Sequence, residues 1–197
     1  MSFTTKPISY RKIGELAEDF LSKYHPSFSL SVPIEEIAES KLDIQIVPVV
    51  GIKKDYDMDA SLCSNFNTIF IDYNFYMNRE NRSRFTIAHE IGHLILHKDL
   101  FESLKIFNIE DLFKISESIS DNEYRWMEYQ AYSFAGHVLV PKKLLIDEIK
   151  KKLGRVPSEE NPESLYPVIQ DLSDIFKVSE DVILRRLQKE KMVKSNH

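Results

Sequence analysis

The sequence predicts an α+β fold in which a small, mostly antiparallel β-sheet packs against one embedded helix and several further helices. Residues 84–97 form an apolar, helix-length run that contains His-Glu-x-x-His. Short alternating or β-branched segments between residues 42 and 72 are typical of strands, whereas the chain after residue 141 shows helical spacing. With 197 residues the chain is long enough to bury a substantial core.

The segment before the motif is predicted to contain two helices and the strands. Apolar residues recur with helical spacing over residues 8–24 and again over residues 31–38. Residues 42–50 alternate between apolar and polar side chains, as a half-buried strand does. Two short β-like runs, residues 60–64 and 68–72, are close enough in sequence to form a hairpin.

The chain after the motif is predicted to be helical. Residues 98–121 have the apolar content of one or two short helices, and a second strongly patterned helix covers residues 128–135. Two further helical segments follow at residues 165–176 and 179–188, after a helix that begins at Pro141. Ser179 is a suitable N-cap for the last of them.

The predicted domain organisation is a core over residues 1–141 and a helical C-terminal extension over residues 142–197, packed together as one compact unit. The net charge of −5 argues against a general nucleic-acid binder. The single cysteine, Cys63, excludes an intrachain disulfide and fits a reducing compartment. The sequence shows neither a signal-peptide pattern nor a run long enough to cross a bilayer, so we expect a cytoplasmic protein without a membrane partner.

The His-Glu-x-x-His motif predicts a metal site. On an α-helix, positions four residues apart lie on one face, about 6 Å apart along the axis. His89 and His93 can therefore point their imidazoles at one ion, while Glu90 lies beside it, where it could accept a proton from a water on that ion. The alternative is a core helix whose histidines bond to backbone groups.

A catalytic zinc ion usually takes three protein ligands, so a third is needed. His97 lies about 12 Å from His89 along an unbroken helix, which favours a supporting or surface role. His137 is rotated about half a turn away from Glu128 if their helix continues. Glu128 is therefore our predicted third ligand, with Glu123 as a nearby rival. Such a set would accept Zn²⁺, and also Mn²⁺ or another divalent ion.

At these residues the sequence resembles the ImmA/IrrE family of zinc-dependent metallopeptidases. Two segments carry the resemblance: residues 84–97, and residues 128–141, which read Glu-x-x-Ala-x-x-Phe-Ala before Leu-Val-Pro. The stretches 34–47 and 172–187 also look like the family's N-terminal part and its helical C-terminal segment. The resemblance covers most of residues 30–190.

The resemblance implies a zincin-like α+β fold, with zinc on His89, His93 and Glu128 and with Glu90 as general base. It also implies a protein substrate, a helix-turn-helix repressor whose cleavage induces a mobile element or a stress response. The sequence departs from the family at Tyr132, where Asn is frequent, and at Gly136-His137, where Ala-Glu is frequent. These departures leave the ligands intact but change the cleft.

The developing oxyanion needs a hydrogen-bond donor, and Tyr132 and His137 are the candidates that the sequence offers. We expect the substrate to lie extended along the edge of the sheet near residues 60–64, as an added strand. That arrangement requires the strand to be at an edge of the sheet.

Two other functions compete with the peptidase. Residues 172–187 can be interpreted as a helix-turn-helix, with Arg185, Arg186 and Lys189 facing DNA, although the acidic net charge argues against direct DNA binding. The chain could also be a catalytically weak metal-binding regulator or antitoxin that acts by binding a protein partner. The presence of Glu90 beside the predicted ligands favours the enzyme.

Overall fold

The computed structural model describes residues 6–114 and 119–195, and it confirms the α+β fold class. The strands are β1 (Gln45–Val49), β2 (Ala60–Leu62) and β3 (Thr68–Asp72). The helices are α1 (Tyr10–Tyr24), α2 (Ile34–Glu36, continued by a π-helical turn, Ile37–Lys41), α3 (Ile52–Tyr56), α4 (Tyr73–Asn78), α5 (Glu80–Leu96), α6 (Lys98–Leu104), α7 (Asp121–Leu139), α8 (Lys142–Leu153), α9 (Tyr166–Phe176) and α10 (Glu180–Lys189). Two 3₁₀ turns, Ile109–Leu112 and Pro162–Leu165, complete the elements.

The sheet has the strand order β1-β3-β2, so β2 is an edge strand. β2 and β3 form the predicted antiparallel hairpin, with Ser61 opposite Phe70. β1 and β3 pair in parallel, with Gln45 opposite Thr68, so the sheet is mixed rather than mostly antiparallel. The reason is the connection: the chain leaves β1 through α3, forms the outer strand β2, and only then enters the centre of the sheet as β3.

Helix α5 is held in the middle of the molecule at its N-terminal half by Arg84. This side chain is only 7% exposed. Its Nη2 donates to the Val32 carbonyl over 2.8 Å, and its Nε donates to the Lys177 carbonyl over 3.3 Å. One buried guanidinium thus joins α5 to the segment before α2 and to the turn after α9.

Helix α7 packs directly on α5 at Gly92. A Cβ atom at this position would lie 3.1 Å from the Ala131 carbonyl oxygen and 3.2 Å from the Ala131 Cα. Ala131 itself is fully buried. Small residues on both helices therefore let the backbones approach. The helix is longer than the predicted residues 128–135 at both ends.

The C-terminal helices share the core of the rest of the chain. Leu172 and Ile183 belong to the same buried cluster as Phe134 of α7. Arg186 of α10 is 3% exposed, and its Nε donates to the Val140 carbonyl over 3.2 Å. The division into residues 1–141 and 142–197 stays a prediction.

Parts of two predicted segments lie outside the described residues. These are residues 115–118 of the predicted helical stretch 98–121, and residues 1–5 and 196–197 at the chain ends. No helix within the described ranges has both the length and the apolar character needed to cross a bilayer.

Candidate metal centre

The two histidines of the motif converge as the helical spacing requires. α5 continues without a break from Glu80 to Leu96, so His89 and His93 lie on successive turns of one helix face. Their Nε2 atoms are 3.0 Å apart. Both rings lie mostly out of solvent, and the His93 side chain is only 3% exposed.

Glu128 of α7 completes this group. Its Oε2 lies 3.1 Å from His89 Nε2, and its Oε1 lies 3.4 Å from His93 Nε2. Glu123, the rival, lies in the first turn of α7, where its backbone N–H is bonded to the Ser120 side chain. The close approach of α5 and α7 at Gly92 brings the Glu128 carboxylate to the histidines.

Glu90 is the other carboxylate at the centre, and its ligand atoms, with those of His89 and His93, lie within 4.8 Å of one another. Oε2 of Glu90, however, accepts a hydrogen bond from the Leu62 N–H. Glu128 is the better third donor because both of its oxygens face the histidines. Two imidazole nitrogens and one carboxylate form a donor set that suits a catalytic zinc ion.

The charges at this centre are strongly coupled. Burial by itself raises the pKa of Glu128, but the neighbouring imidazoles of His89 and His93 outweigh it and hold this pKa well below its usual range. Burial lowers the pKa of His89, but the Glu128 carboxylate outweighs it, and the net pKa is raised. Burial raises the pKa of Glu90, which brings this carboxyl closer to the range of a general base.

Strand β2 presents an open backbone edge beside this centre. The Cys63 N–H donates to the Thr68 carbonyl, so alternate residues of β2 face β3. In an antiparallel pair the residues between them point their backbone groups the other way. Ala60 and Leu62 therefore direct theirs to the open edge, where the Leu62 N–H meets Glu90.

The centre opens into a cavity of about 600 Å³. Ala60 and Ser61 of β2 line it on one side, and Phe85 and Val182 contribute apolar surface. The polar side chains that concern the chemistry are His89, Glu90, His93, Tyr124, Glu128 and Tyr132. The cavity thus joins the donor set, the second carboxylate and the edge strand in one space.

The two predicted oxyanion donors are in different places. Tyr132 lines the cavity, and its ring lies 4.7 Å from that of Phe85, while its hydroxyl is 3.5 Å from Asp181. His137 lies against α1 instead, with its ring 4.5 Å from that of Tyr10 and its Cε1 2.8 Å from the position a Cβ at Gly14 would take. The structure therefore brings Tyr132, but not His137, to the cavity.

Two residues at the centre escaped the sequence analysis. Tyr124 lines the cavity one turn before Glu128, a spacing that could have signalled it. Burial raises its pKa above the ordinary value, so the phenol keeps its proton at neutral pH. Gln130 is fully buried and lies 3.1 Å from Nε2 of His97, a contact that depends on the packing of α7 on α5.

His97 lies behind the centre and is 6% exposed. Its Nδ1 is 3.1 Å from the Nδ1 of His93, on the side of that ring away from Glu128. Burial and the neighbouring His93 lower the pKa of His97 to about 4. The ring is therefore neutral at physiological pH.

Comparison with known proteins places this chain in a family. Among solved structures, a Mycobacterium tuberculosis transcriptional regulator has a similar fold, with a TM-score of 0.58 at 14% identity. The match covers 89% of this chain and 55% of that one, so the chain spans about half of the regulator's length, and the likeness concerns the fold alone. The comparison with curated proteins gives no match. Residues 39–188, well over half of the chain, match a peptidase family, and the chain belongs to this family, the IrrE N-terminal-like domain.

Proposed function

We propose that this protein is a zinc-dependent metalloendopeptidase whose substrate is a helix-turn-helix transcriptional repressor. The observation that carries the proposal is the convergence of His89, His93 and Glu128 beside a second carboxylate, Glu90, at the open edge of a strand. Membership of a peptidase family supports the hydrolytic chemistry. The repressor as substrate is supported by the resemblance of the motif segments.

Three side chains would hold the ion: His89 and His93 through Nε2, and Glu128 through its carboxylate. The donors are already within 3.0–3.4 Å of one another, so little reorganisation is needed. Bound zinc supplies a Lewis acid that polarises a carbonyl and lowers the pKa of a water.

Glu90 acts as the general base in this proposal. The Leu62 N–H occupies Oε2, which leaves Oε1 to take a proton from the attacking water. The raised pKa of the buried carboxyl suits both accepting this proton and returning it to the leaving amine. A phenol in the cavity, Tyr124 or Tyr132, donates to the oxyanion that develops on the scissile carbonyl.

The substrate would bind as an added strand on β2. The backbone groups of Ala60 face the open edge, and Ala60 and Ser61 both line the cavity. A segment paired with the Ala60 end of this edge is extended and runs next to Glu90, because the N–H of Leu62, two residues further along, holds that carboxylate. Extended pairing selects a segment that can leave its folded structure, such as the linker of a repressor.

A role in direct DNA binding is disfavoured by the surroundings of the basic residues on α10. Arg186 is buried and bonded to the Val140 carbonyl and to Glu190. Arg185 pairs with Asp181 over 2.8 Å. Lys189 lies 3.1 Å from the Tyr129 hydroxyl. Of the three basic residues predicted to face DNA, Arg186 is therefore buried, while Arg185 and Lys189 are exposed and contact neighbouring side chains.

The proposal is tested by metal analysis and by incubation with a repressor encoded next to this protein. We expect about one zinc ion per chain in the wild type and in Glu90→Gln, and much less in Glu128→Ala. Glu123→Ala is the matched control on the same helix, and it should keep the metal. Cleavage should be lost in Glu90→Gln and in Glu128→Ala. Absence of metal from the wild type would refute the proposal. Metal retained by Glu128→Ala would show that the third ligand is another residue.

A further inference from the structure

A line of buried polar groups runs away from the centre, starting on the rear side of His93. Nδ1 of His93 is 3.1 Å from Nδ1 of His97, and Nε2 of His97 is 3.1 Å from Oε1 of Gln130. Nε2 of Gln130 donates to the backbone carbonyl of Lys6 over 3.1 Å. His93, His97 and Gln130 are 2%, 6% and 0% exposed, so water does not satisfy these groups.

The Lys6 end of this line determines which of its groups donate and which accept. A backbone carbonyl can only accept a hydrogen bond, so the amide group of Gln130 that faces Lys6 is the NH₂. The amide oxygen must then face His97. Since this oxygen can only accept, Nε2 of His97 carries the proton between them.

The same donor and acceptor reasoning assigns the protons of both imidazoles. A neutral ring protonated at Nε2 has its lone pair at Nδ1, so His97 offers an acceptor to His93. His93 must therefore carry its proton at Nδ1, because two lone pairs facing each other at this distance would repel. Its Nε2 is then left with a lone pair directed at His89 and Glu128.

The front of His93 shows what this tautomer implies for the metal centre. There the Nε2 lone pair faces Oε1 of Glu128 at 3.4 Å, which places two acceptors opposite each other. A metal ion between them would turn both acceptors into ligands. The contact with His97 thus favours His93 protonated at Nδ1, which is the tautomer that leaves Nε2 able to bind a metal.

We propose that Gln130 and His97 are positioning residues that set the Nδ1–H tautomer of His93 and so prepare its Nε2 to bind the metal. The inference rests on the proposed function for the metal that His93 binds, whereas the tautomer itself does not depend on it. It assigns a further role to the segment before α1, since the carbonyl of Lys6 closes the line. Partners behind a ligating histidine change metal affinity by about 10–100-fold when they are removed.

The first test uses the metal-free protein and does not depend on activity. Two-bond ¹H–¹⁵N correlation spectra of histidine-labelled full-length protein report which ring nitrogen carries each proton. We expect His93 protonated at Nδ1 and His97 at Nε2. In Gln130→Met, which keeps the volume but removes both polar groups, His93 should become a mixture of tautomers. A wild-type His93 without a proton at Nδ1 would overturn the inference.

The second test is zinc affinity, measured by competition with a chromophoric chelator. Gln130→Met and His97→Phe should each bind zinc about 10–100-fold more weakly. His97→Asn places an amide oxygen near the position of Nδ1, so it should restore most of the affinity that His97→Phe loses. Equal affinity in the wild type, Gln130→Met and His97→Phe would contradict the inference.

Ser133→Ala is the matched control for these variants. Ser133 is also buried on α7, and its hydroxyl donates to the Tyr129 carbonyl outside this line. It should alter neither the His93 tautomer nor the zinc affinity, and thermal unfolding of the metal-free variants shows whether each one folds. If the tautomers are as expected but the wild type binds no zinc, the proposed function is wrong. The effect of Gln130 and His97 on the His93 tautomer is still supported.

Discussion

The backbone N–H of Leu62 donates a hydrogen bond of 2.8 Å to Oε2 of Glu90. This contact joins the edge strand β2 to helix α5, and both residues are buried, with Leu62 fully covered and Glu90 5% exposed. The strand that is proposed to receive the substrate therefore also orients the proposed general base. A shift of β2 would displace the carboxylate, so in the proposed mechanism substrate binding and proton transfer would be coupled through one bond.

The first prediction compares Glu90→Gln with Glu90→Ala in the metal-free protein. Gln keeps an oxygen that can accept from the Leu62 N–H, whereas Ala leaves this buried donor without a partner. An orphaned buried donor costs about 1–3 kcal/mol, so Glu90→Ala should be less stable than Glu90→Gln by that amount. Urea unfolding measures the difference. Equal stabilities would show that the bond contributes nothing to the fold.

The second prediction concerns the phenols in the cavity. Tyr124 lies one turn from Glu128, and burial raises its pKa, so it keeps the proton that it would donate. The hydroxyl of Tyr132 lies near Asp181 instead, at 3.5 Å. Removing one oxyanion donor lowers kcat by about 10²–10³-fold, and we expect this loss for Tyr124→Phe.

Tyr132→Phe is the control for that variant, because it removes an equivalent phenol hydroxyl from the same helix. It should keep kcat close to the wild-type value, and both variants should keep their zinc. Repressor cleavage under single-turnover conditions separates this effect from binding. The opposite ranking of the two variants would assign the donor to Tyr132.

The third prediction concerns the contact between α5 and α7. In Gly92→Ala the added Cβ would lie 3.1–3.2 Å from backbone atoms of Ala131, which cannot rotate away. The helices must separate by a few tenths of an ångström, and overpacking of this kind costs about 1–3 kcal/mol. Because α7 carries Glu128, zinc affinity should fall together with the melting temperature.

Gly136→Ala provides the comparison. Its added Cβ would lie 3.3 Å from Cδ of Arg186, a side-chain atom that can shift by a few tenths of an ångström, whereas the neighbours of Gly92 are backbone atoms. Ala is favoured over Gly within a helix by about 1 kcal/mol, so this variant should be neutral or stabilised and keep its zinc affinity. Similar losses in both variants would indicate a general effect of substitution in these helices.

The elements that the sequence predicted well are those encoded by local patterns. The spacing of His89 and His93 within an apolar run predicted a continuous helix, and the short run that contains Ser61 predicted the hairpin. Glu128 was identified because a two-histidine site lacks a carboxylate, and the structure places it at both imidazoles. Its role as a ligand remains part of the proposal.

What the sequence could not predict depends on contacts between distant segments. The parallel pairing of Gln45 with Thr68 joins strands separated by α3 and β2, and no local pattern specifies it. The partner of His97 is a glutamine of α7 that is held by the Lys6 carbonyl, more than a hundred residues away in sequence. The sequence could not show that His137 lies away from the cavity, because its position depends on which side of α7 packs against α1.

The fourth prediction follows from that position of His137. Burial, together with the nearby charges of Arg186 and Lys142, lowers the pKa of His137 to about 3. Its Nε2 has no hydrogen-bond partner among the described residues. In the unfolded chain a histidine has a pKa of about 6.5. As the pH falls below this value, the unfolded state gains a proton that the folded state does not, so the folded state loses stability progressively towards pH 3.

At pH 5 this difference amounts to roughly 2 kcal/mol relative to neutral pH, because each unit between the pH and the unfolded pKa contributes about 1.4 kcal/mol. His137→Gln removes the titration but leaves every other histidine in place. The free energy of unfolding should therefore fall less steeply in His137→Gln than in the wild type between about pH 7 and pH 5. Urea unfolding of the two metal-free proteins at several pH values gives this difference directly. Parallel curves would mean that His137 takes up its proton equally in both states, and hence that Tyr10 and Arg186 do not hold its ring neutral.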